Sequence, residues 1–249
     1  MTPLDELCQI PFHEADAPAR ARILSRLADT ELFAALLAEP AADMADPRQF
    51  DLPEGRFALA CDREDRLAGF VGGPVAYVGL PGRVLAAALA AEGQGLLVNP
   101  GHASQLMLDA GMLGWLAQSL QAQPGVSPDT ARRLGAPSAE AVALLAEPLA
   151  QRLGDMIGLV GKTALVSAEW ADGRRNHALL LAGVDPERQP AIAKALAELL
   201  AFLPELPGGV DIGFDPVALP QGALVLEPPP PPAAPAPVRR DPKAPPRLR

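Results

Sequence analysis

The sequence predicts an α/β protein of the α+β kind: two small mixed-sheet lobes with flanking helices, followed by an extended proline-rich tail. Three observations lead there. Short apolar runs bounded by glycine, proline or acids alternate with segments whose apolar residues recur at helical spacing. Midway, a seam of proline, glycine and small polar residues at 121–138, QAQPGVSPDTARRLGAPS, interrupts that periodicity. The last 22 residues hold ten of the chain's 29 prolines. The organisation read from these is a first lobe at 1–122, a linker at 123–135, a second lobe at 136–227 and a tail at 228–249. With 249 residues, 49% of them apolar, the chain can bury roughly 70–75% of its unfolded surface.

In the first lobe, residues 17–28 place Ile23, Leu24 and Leu27 on one side and Arg20, Arg22 and Arg26 elsewhere, which predicts an amphipathic helix. The run ELFAALLA at 31–38 suits either a helix or a buried strand. RFALAC at 56–61 and GLLV at 95–98 read as strands, and helical spacing occupies 62–70 and 83–91. Asn99, Pro100 and Gly101 form a turn, 105–108 reads as a further strand, and Asp109 caps a helix carrying Met112, Leu113, Leu116 and Leu120.

The second lobe opens on a helix over 137–153, in which Pro148 is expected to impose a kink or begin a second short helix. Strands at 163–171 and 177–184, separated by Asp172, Gly173, Arg174 and Arg175, read as a hairpin. Asp185 and Pro186 read as the cap and first-turn proline of a helix bearing Ile192, Ala195, Leu196, Leu199 and Leu200. Strands at 210–214 and 223–226 close the lobe. Such local pairing argues for a mixed or antiparallel sheet.

Composition excludes several classes. No run of 18 uncharged apolar residues exists, and the opening MTPLDELCQIPFHEADAP has acids where a signal peptide needs bases, so a cytoplasmic protein with no membrane partner is expected. Cys8 and Cys61 supply neither a disulfide framework nor a four-ligand zinc spacing. Residues 1–227 carry a net charge of −13 and the tail +4, so the body repels phosphate backbones and nucleic acid is not an expected partner. In the tail, five prolines at 228–232 favour polyproline II, with Arg239, Arg240, Lys243, Arg247 and Arg249 behind them. It reads either as a docking peptide for an acidic or aromatic-lined groove of a protein partner, or as a solvated terminus brushing the acidic body.

No catalytic signature emerges. GLVGKT at 158–163 resembles a phosphate loop, but Met156 stands where its first glycine belongs and the segment leads into a strand instead of a helix. Gly69, Gly72 and Gly73 lack dinucleotide spacing. His13, His102 and His177 stand alone, as surface or cap residues, and no metal or cofactor site is expected. Cys61 reads as a half-buried core thiol, since neighbouring acids disfavour thiolate. Ser104, Ser119 and Ser167 lie in no nucleophile elbow, and Asp62, Glu64 and Asp65, alternating with Arg63 and Arg66, read as a solvated helix start.

FALACDREDRLAGF at 57–70, YVGLPGR at 77–83, GLLVNPG at 95–101 and LMLDAGMLGWL at 106–116 together resemble the N-terminal domain of the SseB family, the enhanced-serine-sensitivity proteins. ALVSAEW at 164–170 and GVDIGFDP at 209–216 are similar in order to that family's C-terminal domain. The resemblance covers about residues 20–227 and implies a cytoplasmic α/β protein without an established reaction, linked to serine sensitivity. The function expected is therefore non-enzymatic binding or regulation. The alternatives are a small-ligand binder or enzyme with its site near the Asn99-Pro100-Gly101 turn, where Arg83 meets an anion, and self-assembly through exposed apolar faces. Oligomeric state is left open.

Overall fold

Pairing of the short apolar runs builds two mixed sheets, one per lobe. The computed structural model describes residues 1–39, 46–125, 129–216 and 218–227. The expected polyproline tail at 228–249 lies outside the described residues, as does 126–128 of the seam. The first lobe contains α1 (Pro3–Leu7), α2 (Ala17–Asp29), β1 (Glu31–Ala35), β2 (Gln49–Leu52), β3 (Gly55–Cys61), α3 (Glu64–Val71), β4 (Tyr77–Pro81), α4 (Gly82–Ala91), β5 (Gly95–Val98), β6 (Leu106–Leu108) and α5 (Ala110–Ser119). The second contains β7 (Ala131–Gly135), α6 (Ala139–Gly154), β8 (Lys162–Trp170), β9 (Arg175–Ala182), α7 (Gln189–Ala201), β10 (Val210–Phe214) and β11 (Leu224–Leu226).

The first sheet has the order β4-β1-β3-β5-β6, with β2 paired to the outer part of β3. β3 and β5 run parallel, in register from Phe57↔Gly95 to Ala60↔Val98, and every other pairing in this sheet is antiparallel. The ambiguous run at 31–38 resolves as β1. Thr30 ends α2, and Leu32, Ala34 and Ala35 are then wholly buried between β3 and β4, so long-range pairing overrides their helix preference. α3 packs on β1 and β3 from one face, around Leu59, Cys61 and Leu67, while α4 and α5 cover the other.

The second sheet has the order β10-β9-β8-β11, with β7 beside β8 on the same edge as β11. β8 and β9 form the expected hairpin, turning at Gly173 with φ +85°. Within the seam, Ala131–Gly135 pair with β8 as a bulged strand whose Arg132 and Arg133 hide it from apolar patterning. One local expectation is sharpened and another corrected. α6 is one helix that runs through Pro148, so of the two alternatives a second short helix does not begin there, and burial of Leu145, Pro148, Leu149 and Leu153 offsets the amide bond the proline cannot make. Asp185 and Pro186 form a separate turn, with Arg188 N donating to Asp185 O at 2.9 Å, and the helix proper starts at Gln189 with Pro190 in its first turn.

The lobes meet through helices. α2 packs on α4 in its own lobe and on α6 and α7 of the other, so one apolar core runs from Leu32 and Leu96 through Leu24 and Leu145 to Leu179 and Leu196. Ion pairs rim this contact: Arg22 with Glu147, Arg26 with Asp155 at 2.6 Å, and Asp29 with both Arg83 and Arg152. Burial alone would raise the Asp29 carboxyl, but Arg152 and Arg83 outweigh it and hold it below the usual range.

His177 on β9 secures the start of α6. Ser138 N donates to its Nε2 at 3.2 Å while Ser138 Oγ accepts from Ala141 N at 3.1 Å. Burial pushes the imidazole below its ordinary 6.5, against an opposing pull from Glu140. The unfolded chain therefore takes the proton first, and His177 costs stability as pH falls below 6.5. The urea midpoint is expected to drop between pH 7.5 and pH 5.5, and the drop is expected to shrink in His177→Gln. An equal slope in both proteins would contradict this.

Candidate functional site

β3 and β5 are parallel because each is a short apolar run buried on both faces, and their carboxyl ends release the chain side by side at Asp62 and Asn99. Asn99 N donates to Ala60 O at 3.0 Å, and Asp62 N donates to Asn99 Oδ1 at 2.9 Å, which ties the two exits together. Asn99 sits at φ +46°, a left-handed conformation that asparagine tolerates better than most side chains, and is fully buried. Its Nδ2 donates to Ser104 Oγ at 2.9 Å.

A charged cluster closes over this junction. α3 places Arg66 one turn beyond Asp62, and α1 brings Asp5 from the far end of the chain. Arg66 Nη1 donates to Asp5 Oδ1 and Asp62 Oδ1, both at 3.1 Å, and Nη2 donates to Asp5 Oδ2. Ser104 Oγ donates to Asp5 Oδ1 at 2.6 Å, Thr2 Oγ1 donates to Asp62 Oδ2 at 2.6 Å, and Thr2 N donates to Asp5 Oδ2 at 2.9 Å. The side chains of Asp5, Asp62 and Arg66 are only 6%, 4% and 10% exposed. The Arg66 guanidinium, with help from Ser104 and Thr2, holds the Asp5 carboxyl far below the usual carboxylate range despite burial, and Asp5 in turn raises Arg66.

Outside this cluster, an open depression of about 350 Å³ lies between α3 and the turn after β5, lined by Asp65, Arg66, Gly69, Phe70, Pro100 and His102. Arg66 thus belongs to the closed cluster and is also one of the residues lining the depression. A second shallow groove of about 410 Å³ follows α7, lined by Leu145, Leu200, Leu203 and Leu206 among others.

The residues singled out in the sequence fall in different places. Asn99 is the hinge of the cluster, with Pro100 and Gly101 continuing its turn and Gly101 N donating to Gln105 Oε1 at 2.8 Å. Arg83 is not near it: it opens α4 and is held by Asp29 and by Glu198, which lies 3.1 Å from its Nη1 and is shared with Lys194. Asp62 and Arg66 are not a solvated helix start either, whereas Arg63 and Asp65 are, as an exposed two-bond pair at 2.8 and 2.9 Å. Cys61 is fully buried, more than the half-burial expected, and burial pushes its thiol up to about 11, as it does for Cys8. His13 and His102 are exposed. GLVGKT leads into β8, with Gly158 at φ +81°. Among the described residues no group of three or more His, Cys, Asp or Glu could hold a metal ion, and no helix is long and apolar enough to cross a membrane. Thr2 and Asp5 escaped sequence reasoning, and Ser104 was considered there only as a nucleophile. The Thr2-x-x-Asp5 capping pattern and the Asp62–Arg66 spacing were the available signals.

Fold and site together define a two-lobed mixed α/β protein whose first lobe carries a closed polar junction at the carboxyl ends of a parallel strand pair. Residues 12–115, from just after α1 to within α5, match the SseB protein N-terminal domain. Over that span the first lobe is similar to the SseB N-terminal domain. Searches of the curated proteins and of the solved structures find no match.

Proposed function

We propose that the chain is a cytoplasmic binding and regulatory protein that acts by holding a partner, not by making or breaking bonds. One observation carries this reading: in the buried cluster every ionised or hydroxyl group is engaged by another member, Asp5 by Arg66, Ser104 and Thr2, and Asp62 by Arg66 and Thr2. A general base or nucleophile needs access to substrate, and here both carboxylates are buried and committed to bonds within the cluster. Two buried thiols with raised pKa values are consistent with a reducing compartment and with no nucleophilic role. The protein contact is assigned to the proline- and arginine-rich segment 228–249, and the serine-sensitivity phenotype implied by the family resemblance is read as a consequence of that contact.

The test is affinity capture from a lysate on the full chain and on a chain ending at Glu227, together with incubation against a panel of serine-pathway metabolites. A partner retained by the full chain and lost from the shorter one is the expected result. Turnover of any metabolite by the purified protein would overturn it.

A further inference from the structure

We infer that the junction at the carboxyl ends of β3 and β5 is a binding site for a small free carboxylic acid, and that Asp5 from the chain's own α1 is its resident occupant. The inference deepens the binding reading above and rests on it. Position is the first argument. In sheets with parallel strands, ligands sit in crevices outside the carboxyl ends, and β3 and β5 are the parallel pair of the first sheet. Chemistry is the second. Arg66 presents two donors to the two oxygens of Asp5, and the Ser104 hydroxyl adds a third at 2.6 Å. This is how a forked cation and a hydroxyl recognise any carboxylate.

The receptor groups are themselves preset without Asp5. Asp62 holds Arg66 from behind, and Asn99 Nδ2 donates to Ser104 Oγ, so the serine proton must point outward to an acceptor. Third, occupant and receptor come from different parts of the chain. Asp62, Arg66, Asn99 and Ser104 all fall within the matched domain span 12–115, whereas Asp5 lies before it, on a five-residue helix. Finally, an open depression lined by Arg66, Phe70, Pro100 and His102 lies beside the cluster, on the residue that supplies the fork. Leu4 and Cys8, buried beside Asp5, keep α1 docked when no acid competes, because a tethered carboxylate acts at an effective concentration of about millimolar or above.

Asp5→Ala removes the competitor and leaves a space the size of formate. The experiment compares thermal unfolding of the whole chain in 100 mM sodium formate and 100 mM sodium chloride. With formate at roughly ten times its dissociation constant, the Tm of Asp5→Ala is expected to rise by about 3 °C beyond the chloride value, with wild type unmoved. Asp5→Asn, which refills the space with a neutral group, is expected to show no formate effect. If Asp5→Ala is unfolded in chloride, refolding by formate, read by circular dichroism, is the supporting result. Equal behaviour in formate and chloride, or an equal formate effect in Asp5→Asn, overturns the site. A captured partner without a formate effect removes the site and leaves the binding reading, while metabolite turnover with a formate effect does the reverse.

Discussion

Replacing Arg66 with leucine is expected to cost about 3–5 kcal/mol at neutral pH, the range for removing one partner of a buried ion pair. Asp5 and Asp62, both almost fully buried, would be left facing each other with only hydroxyl and amide donors. The loss has a distinctive pH signature. In wild type the depressed Asp5 carboxyl contributes stability above its ordinary value of 3.8, and that contribution is lost as pH falls below it. In Arg66→Leu the buried Asp5 carboxylate has lost its counter-charge and gains by taking a proton, so acidification relieves the variant while it weakens the parent. Urea unfolding at pH 7 and pH 3 measures both, and the difference between the two proteins is expected to be the larger at pH 7. A loss below about 1 kcal/mol that does not change with pH would mean that water reaches the cluster and pairs its charges, as at an exposed salt bridge.

The second large effect is expected at Gly82, where α4 begins against the end of α2. A Cβ there would stand 2.0 Å from the carbonyl oxygen of Leu27 and 3.0 Å from its carbon. Both obstacles are backbone, and the approach is locked by Gly82 N donating to Thr30 O at 2.8 Å. Gly82→Ala therefore has to part α2 from α4, and α2 is also the element on which α6 and α7 rest. The cost is expected at about 3 kcal/mol, the upper end for overpacking, or a Tm lower by roughly 10 °C. Gly69, inside α3, is the control, since a Cβ added there would meet nothing within 4 Å. Gly69→Ala is expected to be neutral or to stabilise by about 0.5 kcal/mol. A Gly82→Ala protein that unfolds with wild type would show that the interhelical contact is looser than described.

The two outcomes bear on different parts of how the sequence writes the fold. β3, β5 and the α2 stripe were legible because apolar periodicity and flanking breakers lie within each segment, and the same is true of the β8–β9 hairpin. β4 was not, because Gly79 and Pro81 break the strand pattern although all of Tyr77–Pro81 pair with β1. The short polar strand β2 and the arginine-bearing β7 escaped for a related reason: pairing with a neighbour, not their own composition, makes them strands.

The site was legible only at Asn99, where a turn follows a strand. Its other members are spread from Thr2 to Ser104 and come together only because β3 and β5 align in parallel, which brings Asp62 beside Asn99. Read locally, Asp62 and Arg66 look like an ordinary i,i+4 surface pair, since nothing nearby in sequence announces that α1 will cover them. Arg83 misled in the opposite sense. A lone arginine close to a turn suggests an anion site, yet its partners Asp29 and Glu198 lie 54 and 115 positions away.

Titration of the aspartate side-chain carboxyls by carbon NMR from pH 7 to pH 2.5 tests most directly whether α1 docks as a charged plug. Asp5 is expected to hold its ionised chemical shift below pH 3, because Arg66, Ser104 and Thr2 all bind the anion. An Asp5 signal that titrates with a midpoint near 3.8, as a free aspartate does, would place the carboxylate in water and contradict the closed junction on which the function and the carboxylate site both depend.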